Sequence, residues 1–219
     1  MSEIIPVIAI WALPVLLAIT LHEAAHGYAA RHFGDPTAYV LGRITLNPIK
    51  HIDPVGTVLV PGLIVLLGAV SGAMIPLFGW AKPVPVNFGG LRNPKRDMLW
   101  VAAAGPGANL FLAIMWAVLL KLAVALPENA YTLPLMKMAD AGIQVNASLM
   151  LLNLLPIPPL DGGRMVVSLL PHKLSWKFAQ IEPYGFFILL VLLYTKILDV
   201  VLWPLMAFFR FGLAVLFGF

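Results

Sequence analysis

Long apolar runs, broken at only a few polar positions, dominate the pattern of this chain of 219 residues. The first run extends from Ile4 to about Ala30 and carries acidic or imidazole side chains at only three positions, all near its C-terminal end. Later runs cover Asp97 to about Leu126, Ala139 to about Leu155, and Tyr184 to about Trp203. A helix needs roughly 20 mostly apolar residues to cross the hydrocarbon core of a bilayer. These runs therefore predict membrane-spanning helices.

Two segments between these runs are too irregular for a straight spanning helix. Gly34 to Pro54 is rich in turn residues, and β-branched residues from Thr37 to Thr45 predict short strands at the membrane surface. Thr57 to Trp80 is apolar, but Pro and Gly residues interrupt it. Basic residues flank it on both sides, so the positive-inside rule predicts that it enters and leaves on the cytoplasmic face as a re-entrant segment. The pattern of Pro204 to Phe219 leaves open whether it crosses the membrane or lies along it.

The pattern as a whole predicts an all-α polytopic membrane protein with about five to six transmembrane helices and a small strand or re-entrant segment near the candidate site. No linker or low-complexity tract divides the chain, so one domain is expected over 1–219. Its predicted parts are core helices at roughly 4–31, 97–126 and 139–161, a strand or re-entrant region at 34–96, and C-terminal helices at 183–219.

Composition supports a membrane protein and excludes other classes. Charged residues make up 11% of the chain and hydrophobic residues 61%, whereas soluble domains carry about a quarter of their residues as charged. The formal net charge is +4, but the basic residues lie at the ends of apolar runs, which favours membrane topology over nucleic acid as the explanation. We therefore expect a multi-pass protein of the cell membrane that contacts lipid and binds no nucleic acid.

The acidic and imidazole side chains of the first apolar run are His22, Glu23 and His26, and they form an H-E-x-x-H motif. A spacing of four residues puts both imidazoles on one helix face, close enough to share a metal ion, with the glutamate beside them. Such a motif also arises by chance on solvated helices. In a bilayer, however, charged groups cost about 2.5–3.5 kcal/mol each at the membrane centre and are functional by default. The motif therefore predicts a metal site with hydrolytic chemistry.

A catalytic zinc usually has three protein ligands and one water, so a third ligand is expected. The chain has no cysteine, which restricts the ligands to imidazole and carboxylate groups. Asp161 is the strongest candidate, and it begins an Asp-Gly-Gly sequence after a proline-rich run. The alternative is a turn that caps the next helix. The predicted topology brings Asp161 and the histidines toward the same membrane face, so a shared site is plausible.

The motif, the block Ala104 to Asn109 and the block Asn153 to Gly163 together resemble the site-2 protease family of intramembrane zinc metalloproteases. The resemblance is to small prokaryotic members without PDZ or CBS domains. It implies that His22, His26 and Asp161 ligate one Zn²⁺ per chain and that Glu23 is the general acid and base. It also implies substrates that are transmembrane proteins or peptides, cut by regulated intramembrane proteolysis near the cytoplasmic face.

Two asparagines of these blocks, Asn109 and Asn153, match positions that the family is thought to use to hold the substrate strand or the oxyanion. An interhelical hydrogen bond is an equally weighted alternative for each, and Gly105-Pro106-Gly107 is consistent with close helix packing. His51 and Asp53 are candidates for an outer partner of the metal ligands or for a gate, although a surface turn explains them as well.

Two rival functions remain beside the protease. A zinc or proton transporter could use the same ligands, but transporters usually show paired half-molecule repeats, and none is visible in this sequence. A catalytically inactive scaffold for transmembrane segments would be free to lose Glu23, which is present. The physiological substrate, the regulator and the oligomeric state have no signal in the sequence.

Overall fold

The computed structural model describes residues 4–71 and 79–218, and these residues form nine α-helices and no strand. The helices are α1 (Ile4–His32), α2 (Thr37–Val40), α3 (Val60–Ser71), α4 (Pro94–Ala125), α5 (Thr132–Asn153), α6 (Asp161–Leu169), α7 (His172–Ala179), α8 (Glu182–Tyr194) and α9 (Ile197–Phe217). Two 3₁₀ helices, Pro48–His51 and Phe88–Gly90, and a π-helix, Pro54–Leu59, lie between α2 and α4.

Three of the described helices, α1, α4 and α9, are long and apolar enough to cross a membrane. The shortest, α9, has 21 residues and at 1.5 Å per residue is about 31 Å long, which matches a hydrocarbon core of about 30 Å. The pair α7 and α8 adds a fourth span if the two count as one span bent by 60°. The protein is therefore a helical membrane protein, and the predicted count of five to six spans is not confirmed.

The centre of the molecule is the packing of α1, α4 and α5. Small residues allow the helices to approach: a Cβ atom at Gly142 of α5 would lie 2.2 Å from the ring of Trp116 on α4. α9 covers this core through the buried side chain of Leu213. The cluster of buried side chains is Leu112, Trp116, Ala117, Ala139, Ile143 and Leu213.

The prediction of strands between Thr37 and Thr45 is wrong. Residues Thr37–Val40 form the single helical turn α2, and no described residue near it is in a strand. The buried Asp35 accepts hydrogen bonds from the backbone N–H (3.0 Å) and the hydroxyl (2.5 Å) of Thr37. A carboxylate in this position favours a turn over a strand, and here it outweighs the β propensity of the residues that follow.

Asp35 also ties this turn to a later part of the chain. Its Oδ2 accepts the backbone N–H of Asn87 at 2.7 Å. Burial alone would raise the pKa of Asp35, but the hydrogen bonds from Thr37 and Asn87 lower it below its ordinary value. The carboxylate is therefore ionised at neutral pH and holds the two segments together.

The predicted re-entrant segment, Thr57 to Trp80, begins and ends at the same place. Trp80 donates its backbone N–H to the carbonyl of Gly56 at 3.0 Å, and the hydroxyl of Thr57 donates to the carbonyl of Trp80 at 2.8 Å. At the start of the segment, the π-helix Pro54–Leu59 (6 residues) continues directly into α3 (12 residues), and this apolar helix is shorter than the helices of spanning length. Residues 72–78 lie outside the described residues, so re-entry into the membrane stays a prediction.

The C-terminal part divides at Lys196, not at Pro204 as the sequence pattern suggested. Lys196 has a left-handed backbone with φ of 59° and separates α8 from α9. Pro204 lies inside α9, which continues to Phe217. Residues 204–217 therefore belong to a helix that is long and apolar enough to cross a membrane.

An ion pair joins α9 to α5. Arg210 donates to Asp140 Oδ1 at 2.5 Å. Asp140 is about 12 Å from the start of α5 and Arg210 about 10 Å from the end of α9, so both charges lie well inside their helices. In a bilayer an unpaired charge at this depth is costly.

We expect that Arg210→Ala or Asp140→Ala lowers the free energy of unfolding by about 1 kcal/mol, a modest loss because both side chains are nearly half exposed. The exchange of both residues, Asp140→Arg with Arg210→Asp, should restore most of the loss. Thermal unfolding in lipid nanodiscs checks this. Single variants as stable as the wild type would contradict a contribution of the pair.

Candidate metal centre

The two motif histidines lie near the C-terminal end of α1, one helical turn apart. Their rings meet edge to face with centroids 4.7 Å apart. His22 is 8% exposed, and the nitrogens His22 Nε2 and His26 Nε2 are separated by 3.1 Å. The spacing of four residues therefore directs both Nε2 atoms at one point, as the sequence predicted.

Asp161 is the first residue of α6 and joins the histidines from the far end of the chain. The glycines after it let α6 fold back closely on the preceding turn. A Cβ atom at Gly162 would lie 2.3 Å from the carbonyl oxygen of Leu154, and one at Gly163 would lie 2.4 Å from the nitrogen of Pro158. Asp161 Oδ2 thereby comes within 3.2 Å of His22 Nε2 and 3.3 Å of His26 Nε2.

These three atoms have the separations of a tetrahedral ligand set. Zinc bonds of about 2.0–2.1 Å to nitrogen and oxygen place tetrahedral ligands about 3.3 Å apart, and the observed separations are 3.1, 3.2 and 3.3 Å. Apart from the two imidazoles, the buried Asp161 Oδ2 has no partner among the described residues. Among those residues, His22, His26 and Asp161 are also the one group arranged to hold a metal ion.

The electrostatics of the cluster favour a cation at its centre. Burial alone would raise the pKa of Asp161. Hydrogen bonds and electrostatic attraction from the imidazoles of His22 and His26 outweigh burial and lower this pKa to about 2. The carboxylate is therefore ionised beside the two Nε2 atoms, an arrangement that suits a bound cation. A metal ion supplies that positive charge and displaces protons from the ligand atoms.

The outer ring nitrogens of both histidines are held by hydrogen bonds. His26 Nδ1 lies 2.7 Å from the carbonyl oxygen of Val101, and His22 Nδ1 lies 2.6 Å from Asn109 Oδ1. Both partners are acceptors, so the proton of each neutral ring is assigned to Nδ1. The Nε2 lone pairs are then free for the metal, which is the usual arrangement of histidine ligands.

The backbone of α4 faces the two rings at Gly105. A Cβ atom there would lie 2.4 Å from His26 Nε2 and 2.6 Å from His22 Cε1. The close packing expected of Gly105-Pro106-Gly107 thus takes place at Gly105, whereas no atom lies within 4 Å of a Cβ atom at Gly107.

Glu23 lies beside the cluster and is held by a backbone group. Its Oε2 accepts the N–H of Val84 at 2.7 Å. Val84 belongs to a stretch that is neither helix nor strand, the 80–87 segment. Its alternate N–H groups at Trp80 and Lys82 donate to the carbonyls of Gly56 and His51, so the segment is fixed in place. One carboxylate oxygen of Glu23 is thereby oriented.

A small cavity of about 130 Å³ lies at the cluster, and it is lined by part of the 80–87 segment and by Asn153 and Pro159. Ligand sites in proteins commonly have about 300–1,000 Å³. The cavity therefore offers room for part of one extended chain beside Glu23, and for nothing as wide as an intact helix.

The other predicted site residues have different surroundings. Asn109 is fully buried and bonds to His22, to Ala18 O and to Asn146, so it makes the interhelical contacts that the sequence left open as an alternative. Asn153 lines the cavity and donates its amide N–H to Leu149 O.

His51 and Asp53 have local partners. His51 Nε2 lies 2.9 Å from Thr45 O. Asp53 Oδ1 accepts the N–H groups of Val55 and Gly56 and caps the π-helix. Neither belongs to the ligand group found among the described residues.

Sequence reasoning missed the N–H of Val84, the carbonyl of Val101 and the side chain of Asn146. The first two are backbone groups, which every residue carries, so no residue type marks them. Asn146 had a signal, because it is an amide side chain in an apolar stretch of α5 and polar residues inside membrane helices usually bond to a neighbouring helix.

A His-Glu-His helix motif completed by a buried aspartate, in a helical membrane protein, defines the class of membrane metallopeptidases. The chain belongs to peptidase family M50, the family of the site-2 proteases: the family model Peptidase family M50 matches residues 123–193, which include Asp161. The family resemblance expected from the sequence is confirmed.

Curated relatives agree with this membership. The chain is 41% identical to "Putative zinc metalloprotease YwhC" of Bacillus subtilis (strain 168) over 93% of this chain and 89% of the relative. It is 34% identical to "Putative zinc metalloprotease Rip2" of Mycolicibacterium smegmatis over 88% of this chain and 68% of the relative. A protein of the same name from Mycobacterium tuberculosis H37Rv is 30% identical over 85% and 65%, respectively. No solved structure matches the chain.

Proposed function

We propose that this protein is an intramembrane zinc metalloendopeptidase that hydrolyses peptide bonds within or near transmembrane segments of membrane proteins, in regulated intramembrane proteolysis. The observation that carries the proposal is the convergence of His22, His26 and Asp161 on one point beside Glu23. This cluster lies among helices of membrane-spanning length. We also propose that 1–219 acts as one catalytic domain.

His22, His26 and Asp161 are the proposed ligands of one Zn²⁺. Two imidazoles and one carboxylate form a usual donor set for catalytic zinc and leave the fourth position open for water or substrate. When bound, zinc lowers the pKa of water from about 15.7 to roughly 7 and polarises the scissile carbonyl. The zinc names of the relatives support this choice of metal.

Glu23 is the proposed general base and acid. It accepts a proton from the attacking water and passes it to the leaving amine nitrogen. The hydrogen bond from Val84 N–H holds Oε2, so the other oxygen of the same carboxylate is available to the water. The amide of Asn153, on the cavity wall, is placed to bind the backbone of an unwound substrate.

The charges near the centre support an active site closer to the cytoplasmic face of the cell membrane. α1 ends just beyond His26 with Arg31 and His32. α4 begins nearby with Lys95 and Arg96 in its first turn. Because cytoplasmic ends of membrane helices carry the excess of basic residues, both helix ends are assigned to that side.

The test is cleavage of model single-span proteins by the purified protein in liposomes. We expect the wild type to cut within the apolar segment, a zinc chelator to reduce cleavage to background, and added Zn²⁺ to restore it. Mass spectrometry of the products locates the cut. Cleavage confined to a soluble tail would refute the intramembrane part of the proposal, and cleavage that persists without metal would refute the zinc part.

A negative result needs a second measurement. If no substrate is cut although one zinc binds per chain, zinc and proton flux across the same liposomes is measured. Flux that depends on His22 would replace the protease proposal by a transporter.

A further inference from the structure

We propose that Asn146 is a positioning residue for the metal ligand His22 and acts through Asn109. Asn146 lies on α5, Asn109 on α4 and His22 on α1, and both asparagines are 0% exposed. The inference rests on the proposed metal site. It adds a residue that neither the motif nor the family membership assigns to the centre.

The hydrogen bonds that link Asn146, Asn109 and His22, called the relay below, have their donors and acceptors in a fixed order. Asn146 Nδ2 donates to the carbonyl of Gly142 at 2.8 Å, which leaves Asn146 Oδ1 pointing away from that carbonyl. Asn109 Nδ2 then donates to Asn146 Oδ1 at 3.1 Å and to the carbonyl of Ala18 at 3.1 Å. The remaining atom, Asn109 Oδ1, faces His22 Nδ1 at 2.6 Å.

This order of donors and acceptors decides which nitrogen of His22 carries the proton. With Asn109 Oδ1 as the acceptor, the proton is on Nδ1 and the lone pair of Nε2 faces the metal. If the amide of Asn109 turned over, its NH₂ group would face Nδ1 and drive the proton to Nε2. That tautomer cannot ligate a metal through Nε2. Asn146 opposes the turn, because its Oδ1 would then face Asn109 Oδ1, and two buried acceptors without a proton between them are unfavourable.

His26 has no such dependence. Its Nδ1 bonds to the backbone carbonyl of Val101, which can only accept and cannot turn over within α4. The tautomer of His26 is therefore fixed by the helix itself, whereas that of His22 depends on two side chains. Substitution of Asn146 on α5 should therefore change the zinc affinity through His22 and not through His26.

The test measures the zinc dissociation constant by competition with a chelator for the wild type, Asn146→Ala, Asn109→Ala and the double variant. Partners of metal-ligating histidines are worth about 10–100-fold in metal affinity. We expect about 100-fold weaker binding for Asn109→Ala. For Asn146→Ala we expect about 10-fold, since Ala18 O still orients Asn109. The double variant should bind zinc no more weakly than Asn109→Ala, because Asn146 acts only through Asn109.

The control is Ser148→Ala, which removes a different polar group of α5, one that is partly buried and contacts Met206, and it should leave the dissociation constant unchanged. Thermal unfolding of the metal-free proteins separates affinity from folding. If Asn146→Ala does not fold, Asn146→Ser replaces it in the cycle. Its hydroxyl can bond the Gly142 carbonyl but is too short to reach Asn109.

The outcomes distinguish the inference from the proposed function. A wild type that binds no zinc refutes the metal site itself. A wild type that binds zinc, with an Asn146 variant of equal affinity, overturns the relay. Losses that add in the double variant also overturn it, because they would show that Asn146 acts independently of Asn109.

Discussion

Glu23→Gln is expected to reduce the rate of peptide cleavage by at least about 10³-fold, within the range of 10²–10⁴ that general acid and base catalysis contributes. An amide cannot accept the proton of the attacking water or pass it to the leaving amine. Its carbonyl oxygen can still accept the N–H of Val84, which lies 2.7 Å from Glu23 Oε2 in the wild type. The substitution therefore removes the chemistry and keeps the local hydrogen bond.

The measurement is the single-turnover rate in liposomes, with zinc content determined on the same preparations. Glu23→Gln should keep one zinc per chain and still bind a model substrate. The matched control is Glu128→Gln, a substitution of the same type at an exposed position in the loop between α4 and α5, which should cleave at the wild-type rate. Retention of more than about a tenth of the wild-type rate by Glu23→Gln would remove Glu23 from the proposed role.

The sequence predicted the local part of the site well because helix geometry is regular. Residues four apart must share a face, so the H-E-x-x-H motif alone determined that His22 and His26 direct their rings to one point, and the structure has them 3.1 Å apart. Asp161 is far from them along the chain. Its meeting with them depends on the turn before α6, which the predicted topology allowed but did not require.

The errors arose where the surroundings of a residue outweighed the preference of its residue type. The β-branched residues after Thr37 favour strands, but the buried carboxylate of Asp35 bonds Thr37 and starts a helical turn instead. Likewise Pro204 is a helix breaker by type, yet α9 continues through it and the break falls at Lys196. Proline is better tolerated inside a membrane helix, where neighbouring groups satisfy the freed carbonyl.

The 80–87 segment shows a further limit of sequence reasoning. Its contribution to the site is the N–H of Val84, a group that no residue type reveals. Its neighbours Pro83 and Pro85 have no N–H, and the N–H groups of Trp80, Lys82 and Val84 bond to Gly56, His51 and Glu23, respectively. That arrangement could be recognised only after the fold was known.

The smallest change with a large expected effect is Gly105→Ala, which should weaken zinc binding by more than about 100-fold. The added Cβ atom would lie 2.4 Å from His26 Nε2 and 2.6 Å from His22 Cε1. The rings cannot move aside without breaking the bonds from their Nδ1 atoms to Val101 O and Asn109 Oδ1. Displacing a ligand should cost at least as much as losing its outer partner, which is worth about 10–100-fold.

Gly107→Ala is the matched control on the same helix, because no atom lies within 4 Å of a Cβ atom at Gly107. It should bind zinc as the wild type does and gain up to about 1 kcal/mol in helix stability. The comparison uses zinc dissociation constants and thermal unfolding of the metal-free proteins. If Gly105→Ala bound zinc with wild-type affinity, the two histidine rings would be able to shift. The close approach of α4 to these rings at Gly105 would then not be required for metal binding. If Gly105→Ala lost zinc binding while Gly107→Ala kept it, and both metal-free variants were folded, the metal centre would require the absence of a side chain at position 105 of α4.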